Sequence, residues 1–243
     1  MAEESAIIQP LEREQRLYER VADRILDLIK DDTWKAGDRL PTERELAEAF
    51  DVSRTVIREA VKFLEAQGWL QVTAGSGIFV HRPDSELVSR SLETYVHLLG
   101  SADSAARLAE VRRILEVEIA ALAAKRANAE QRQRLRKLCE GLRSAHSSKQ
   151  SAEIDFRFHM VLAESTQNEF FGILLAPLIE QLQDLFHFSW KGYEGRSVEP
   201  VIQHHEAIVA AVEQQNSAAA RKAMVDHMAF SAQILQELLE EKD

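Results

Sequence analysis

Residues Pro41 to Val80 read PTERELAEAFDVSRTVIREAVKFLEAQGWLQVTAGSGIFV, and this stretch decides the fold. Thr42 followed three residues later by Glu45 is a capping box, which starts a helix by satisfying two orphan backbone N–H groups. Leu46, Ala47 and Phe50 form that helix's apolar stripe, and Asp51-Val52 makes a turn. Ser53 caps a second helix, in which Ile57, Ala60, Val61 and Leu64 fall at the i, i+3, i+4, i+7 spacing of one buried face. Gly68 ends it, since glycine tolerates the left-handed cap. Leu70 and Val72 then alternate with Gln71 and Thr73, as on a half-buried strand. Ala74-Gly75-Ser76-Gly77 turns the chain, and Ile78 and Val80 return it. Helix, turn, helix and hairpin in this order predict a winged helix-turn-helix with duplex DNA as its partner.

The cations of the second helix support that partner. Arg54, Arg58 and Lys62 are four residues apart and line one side of the helix. A helix docked by its N-terminal end presents Ser53, Arg54, Thr55 and Arg58 to the major groove, where arginine can bond guanine or a phosphate. The glycine-rich tip at Gly75 lets backbone approach a phosphate or the minor groove closely. The plainer reading is a solvated helix and a flexible hairpin; the two motifs in succession, each capped, favour DNA. The formal net charge of −10 runs against the basic footprint usual in DNA binders. Duplex binding therefore depends on where Arg44, Arg54, Arg58 and Lys62 point.

At 243 residues, the length suits one large or two modest domains, and a hydrophobic fraction of 45% is enough for real cores. Arg82-Pro83-Asp84 separates the wing from the C-terminal part of the chain, so the expected domains are 1–82 and 83–243. Before about Gln15 the chain reads as a loose arm, and Leu17, Val21, Ile25, Leu28 and Ile29 make a first amphipathic helix. Trp34 to Asp38 reads as a turn. After Ser85 there is no strand signal. Helical patterns run through 85–99, 104–127, 130–147, 151–166, 168–190, 199–215 and 217–240, which predicts an all-α bundle of about seven helices. The protein is thus mainly α. Pro177 within the apolar run Phe170–Phe188 predicts a kink. The single cysteine, Cys139, keeps company with Leu135, Leu138 and Leu142 and reads as core. The acidic start MAEESAIIQP is unlike a signal peptide, and no run of about 18 apolar residues offers a membrane span, so a cytoplasmic location is expected.

The helical part also carries a candidate metal site. Asp155 and His159 are at i, i+4 and share a helix face, which flanking Ile154, Phe158 and Leu162 turn inward. His205 falls in the apolar stripe of Val201, Ile202, Ile208, Val209 and Val212. His227 lies among Met224, Met228 and Ser231 on the last helix. A lone inward histidine is ordinarily a core residue with one hydrogen bond. Three of them with a carboxylate, from three helices, point instead to a divalent metal: zinc first, nickel or manganese as alternatives. His204 lies about 100° around the helix from His205 and reads as outer-sphere or surface. His81, His97, His146 and His187 lack matching partners.

These motifs carry two resemblances. The segment Leu17–Val80 resembles the DNA-binding domain of the GntR family of bacterial transcription regulators. The strings that carry it are GDRLPTERELA at Gly37–Ala47, VSRTVIREA at Val52–Ala60 and GSGIFV at Gly75–Val80. The resemblance implies operator contacts by Arg44, Arg54 and Arg58, with Ser53, Thr55 and Gly75. Residues 95–240 resemble the FCD ligand-sensing domain of the FadR subfamily, through EVRRILE at Glu110–Glu116, DFRFH at Asp155–His159, HEAIVAAV at His205–Val212 and MVDHM at Met224–Met228. That resemblance implies metal ligation by Asp155, His159, His205 and His227, a small carboxylate effector, and an effector contact from Arg112. The other reading of Arg112 is a surface arginine paired with Glu116.

The expected function is accordingly a DNA-binding transcription regulator, a repressor by preference, and not an enzyme. A small carboxylate on a divalent metal would modulate its grip on a pseudo-palindromic operator, with two DNA heads supplied by a homodimer. Trp190 and Tyr193 are candidate walls of the effector pocket. The competing readings are a metal-dependent hydrolase-like activity, for which no placed general base is visible, and a regulator whose metal is purely structural.

Overall fold

The computed structural model describes residues 16–81, 85–99, 101–182, 190 and 198–240. Ten helices and one two-stranded sheet occur among them. The chain divides into two compact units, Met1–Leu87 and Val88–Asp243.

In the first unit, α1 (Leu17–Lys30) buries Val21, Ala22 and Ile25 and packs on α3. Helix α2 (Glu43–Phe50) begins at the expected capping box: the Glu45 N–H donates to Thr42 Oγ1 at 3.3 Å and the Thr42 N–H to Glu45 Oε2 at 2.8 Å. It ends at Asp51, whose φ of 52° is left-handed and turns the chain sharply. Ser53 then caps α3 (Arg54–Ala66), its Oγ accepting the Val56 N–H at 3.4 Å. The predicted stripe of Ile57, Ala60, Val61 and Leu64 is buried to the last residue. Gly68 comes next at φ +75°, a conformation that favours glycine, and a Cβ there would displace the Leu87 side chain, whose Cδ1 lies 2.3 Å away.

Strands β1 (Leu70–Thr73) and β2 (Gly77–Val80) pair antiparallel, with Leu70 opposite Val80 and Thr73 opposite Gly77. Two features depart from the expectation. Val72, expected to alternate inward with Leu70, is 44% exposed. Its cross-strand neighbour Ile78 is in the core, while the Val72 side chain stays open and its N–H donates to Glu65 Oε1 at 3.1 Å. Beyond the expected turn at 34–38, the chain adds an edge to the wing. The N–H groups of Gly37 and Leu40 donate to Val80 and Ile78 carbonyls at 2.9 and 2.8 Å, and Arg39 bridges Phe79.

The second unit contains α4 (Ser85–Leu99, which begins in the first unit), α5 (Ser101–Arg126), α6 (Ala129–Arg143), α7 (Ser148–Glu164), α8 (Glu169–Gln181), α9 (Glu199–Glu213) and α10 (Ser217–Glu240). Long α5 is its axis and packs against α7, α8, α9 and α10. Its buried Ala120, Ala123 and Ala124 allow neighbouring backbones to come close. Phe158, Leu162, Leu175, Ile208, Val212 and Met224 fill the space between helices. Cys139 belongs to this core, and burial pushes its thiol up to about 12. Pro177 sits buried inside α8. The remainder of the apolar run, 183–188, lies outside the described residues, as do His187, Tyr193, the arm 1–15 and the linker 82–84. Trp190 packs with Leu142, Val201 and Ile202 as core. No described helix is long and apolar enough to cross a membrane.

Candidate functional site

The DNA-facing candidates are all on the surface of the first unit. Arg44 on α2 is exposed and gives Nη1 to Glu48 at 3.0 Å, a loose i, i+4 pair. Ser53, Arg54 and Thr55 are exposed together at the start of α3. Gly75 at the wing tip has a φ of +74° and open space around it. Arg58 is not a free cation. Its Nε and Nη2 donate to the two carboxylate oxygens of Glu43 at 3.3 and 3.0 Å, a fork across α2 and α3. The Arg58 bond holds the Glu43 carboxyl below its ordinary range. Contact with DNA must therefore use the remaining Arg58 donors or displace Glu43. Sequence spacing alone did not reveal this pair, because its partners are fifteen residues apart on two helices.

The second constellation lies inside the helical unit. Asp155 and His159 come from α7, His205 from α9 and His227 from α10. One donor atom from each lies within 4.8 Å of the others. The three imidazoles are buried, and the carboxylate is nearly so. His205 is held at both ring nitrogens: Nδ1 is 2.8 Å from the Val201 carbonyl and Nε2 is 2.9 Å from Asp155 Oδ1. With Nδ1–H donating to that carbonyl, Nε2 is the natural ligand atom once a metal replaces the proton it shares with Asp155. His159 Nε2 stands 3.8 Å from Asp155 Oδ1, too far for a hydrogen bond. The His205 and His227 rings are 4.5 Å apart, and Phe158 packs edge-on against His205 at 4.6 Å.

Electrostatics sort these groups. Burial pushes the His227 imidazole well below its ordinary value, with the neighbouring His205 and His159 adding to the effect. For Asp155, burial works against ionisation, but the His205 hydrogen bond and the surrounding imidazoles outweigh it and hold the carboxyl low. The set is therefore one carboxylate facing neutral imidazole at His227.

Buried nitrogens decide what this arrangement can hold. Nδ1 of His227 and both ring nitrogens of His159 are enclosed without a hydrogen-bond partner; His159 Nδ1 lies against Glu116 Oε2, and His159 Nε2 faces Asp155. Buried polar atoms are ordinarily partnered, and leaving one unpaired costs about 1–3 kcal/mol. Three nitrogens and one oxygen converging within ligand reach, two of them wanting a partner, fit a divalent cation.

A further residue, named in the sequence only as the partner in the alternative surface reading of Arg112, joins the cluster. Glu116 on α5 is fully buried, with one oxygen accepting Arg112 Nε and the other against His159 Nδ1. Arg112, the expected effector contact, is 3% exposed and pairs with Glu116 inside the unit. Burial opposes ionisation of Glu116, but Arg112 overcomes it and keeps the carboxyl low. The i, i+4 spacing gave the pair; only the packing of α5 on several sides makes it internal. His204 is half-buried, stacks on Phe230 at 4.7 Å and lies with its ring centroid 6.2 Å from that of His227.

Comparison with known proteins names this combination. The pattern described as "Bacterial regulatory proteins, gntR family" matches residues 17–80, and that of the FCD domain matches residues 107–230. The chain belongs to the GntR family. It is similar to the HTH-type transcriptional regulator LutR of Bacillus subtilis, with 31% identity over 88% of this chain and 99% of that protein. It is also similar to the Uxu operon regulator of Haemophilus influenzae, with 34% identity over 88% of this chain and 79% of that one. Among solved structures, Streptococcus agalactiae GntR superimposes with a TM-score of 0.69 and 31% identity, covering 87% of this chain and 97% of its own. This GntR-family chain is thus a DNA-binding transcription regulator with an FCD ligand-sensing domain. The hydrolase alternative falls here, since the matched domains and relatives are regulators and not enzymes.

Proposed function

We propose that the protein is a cytoplasmic repressor of the FadR subfamily whose hold on a pseudo-palindromic operator is modulated by a small carboxylate at a divalent-metal site. In this reading residues 1–82 bind DNA through Arg44, Ser53, Arg54, Thr55, Arg58 and Gly75, and residues 83–243 sense the effector and dimerise. Asp155, His159, His205 and His227 would hold the metal, zinc being the best match to three imidazoles and a carboxylate. The observation that carries the reading is the buried donor quartet with partnerless nitrogens on His159 and His227.

The metal supplies positive charge and Lewis acidity that attract an anionic oxygen donor. The chain's own residues set how much charge is left over. With imidazole ligands neutral, the buried Asp155 and Glu116 carboxylates and the Arg112 guanidinium leave a dication with one net positive charge. A singly charged carboxylate balances it, and Arg112 is the proposed second anchor. Because α7, α9 and α10 each contribute a ligand, occupancy ties three helices together, which is a means of biasing the packing between two arrangements. Exposed Val111 and Ile114 on α5 and Phe170 and Leu174 on the adjoining α8 support a homodimer through this unit.

The test is operator binding by fluorescence anisotropy, with zinc-loaded and chelated protein titrated with lactate, sugar acids and dicarboxylates. Release by a carboxylate only when zinc is present supports the reading. Release unaffected by chelation refutes it. Light scattering that finds monomer at micromolar concentration and on DNA refutes the dimer.

A further inference from the structure

Glu116 is the unexplained acid of α5. Glu110 and Glu118 on the same helix are exposed, while Glu116 is completely enclosed. Enclosing a carboxylate is unfavourable unless its oxygens are satisfied by charge or hydrogen bonds. An ion pair with Arg112 would be the ordinary explanation, and a simple pair would place both oxygens on the guanidinium fork. Here the oxygens are divided: Oε1 takes Arg112 Nε, and Oε2 is against His159 Nδ1. The division has a consequence at the opposite end of the ring. With the Nδ1 proton donated to Glu116, Nε2 of His159 carries the lone pair. That nitrogen is buried, has no hydrogen-bond partner and faces Asp155 in the donor cluster.

We propose that Glu116 is a positioning residue for the metal centre: it fixes His159 in the tautomer and rotation that offer Nε2, and it cancels the Arg112 charge beside a dication. The proposal rests on the metal reading above. Glu116 itself is not a ligand, because its oxygens are engaged with Arg112 and with the far side of the His159 ring. His205 is held by a different device, the Val201 carbonyl on its own helix. His159 has its holder on a neighbouring helix instead. Glu116 thereby joins α5 to a site whose ligands come from α7, α9 and α10.

The two roles separate in a set of variants of the full chain: Glu116→Gln, Arg112→Met, and the double variant Arg112→Met/Glu116→Met, which leaves no unpaired ion in the interior. The probe is Co²⁺, followed by its visible absorption bands and by chelator competition. Long-range ¹H–¹⁵N spectra of the metal-free protein report the His159 tautomer. Wild type should show His159 protonated at Nδ1, and Glu116→Gln should bind Co²⁺ about 10–100-fold more weakly, the usual cost of losing an outer-sphere partner. Arg112→Met, with Glu116 still present, should stay within about threefold of wild type or bind more tightly. The double variant should remain at least about tenfold weak, because removing the competing charge does not restore the tautomer. Co²⁺ affinity of Glu116→Gln within threefold of wild type overturns the proposal, as does full recovery in the double variant. If wild type takes up no Co²⁺, the metal reading itself fails; if wild type binds and the variants bind equally, only the role of Glu116 fails.

Discussion

Replacing His227 by leucine should make the metal-free protein more stable and destroy its metal site. Nδ1 of His227 is enclosed by protein without a hydrogen-bond partner. A buried, unsatisfied polar atom costs about 1–3 kcal/mol, and an apolar side chain of similar size removes that cost. Met224, about one turn before it, and the adjacent Met228 are flexible enough to close small gaps around a leucine. For a unit of this size each kcal/mol moves the unfolding midpoint by about 2–4 °C, so a rise of several degrees is expected. His205→Leu is the control in the opposite direction. It removes a 2.9 Å bond to the Asp155 carboxylate and a 2.8 Å bond to the Val201 carbonyl. It strands a buried charge, so it should destabilise by about 3–5 kcal/mol. The assay is urea and thermal unfolding after chelation, followed by helical circular dichroism, with zinc uptake measured in parallel. A His227→Leu protein that is less stable than wild type by more than about 1 kcal/mol would refute the reasoning, since His227 would then be contributing to the metal-free fold.

Other parts of the molecule give further expected outcomes. Arg54→Ala and Arg58→Ala should each weaken operator binding by about 1–3 kcal/mol where they read bases, or uniformly across sequences with a shallower salt dependence where they meet phosphate; gel-shift titration on operator and scrambled duplex separates these, and unchanged binding in both variants contradicts the docking. The pH dependence of metal-free stability has a definite sign. Because burial lowers the folded His227 value below its ordinary 6.5, the unfolded chain takes up this proton first: stability is unaffected by it above about pH 6.5 and is lost as the pH falls toward the lowered value. Urea midpoints at pH 5 to 8 check this, and His227→Leu should flatten the slope. Cys139, buried with its thiol pushed up to about 12, should react with a thiol reagent only as fast as the helical unit opens; rapid labelling of the native protein contradicts its place in the core.

What was legible in the sequence shares one property: the deciding contacts are local. Thr42 with Glu45, Ser53 with the α3 stripe, and Asp155 with His159 are within one or two helical turns, where spacing alone fixes geometry. The inward direction of His205 and His227 was readable because each sits in an apolar stripe. Features set by contacts between elements were not legible. The Arg39 bridge to Phe79 is too short to leave a periodic signal. The Glu43–Arg58 fork joins two helices. Val72 alternates with Leu70 as a half-buried strand should, yet it is exposed while Ile78 opposite it is buried. Spacing paired Arg112 with Glu116 only in the alternative reading, as a surface pair, because charged i, i+4 residues ordinarily are one. Helix α5 is packed by four others, so a charged pair facing those neighbours goes inside.

The central claim is that the metal is part of the sensor. Its most direct test is operator release measured with one protein in three states: zinc-loaded wild type, chelated wild type, and zinc-treated His227→Leu. A small carboxylate which releases zinc-loaded wild type from its operator should leave the other two bound, while all three hold the operator about equally in its absence. Equal release from all three would contradict the claim.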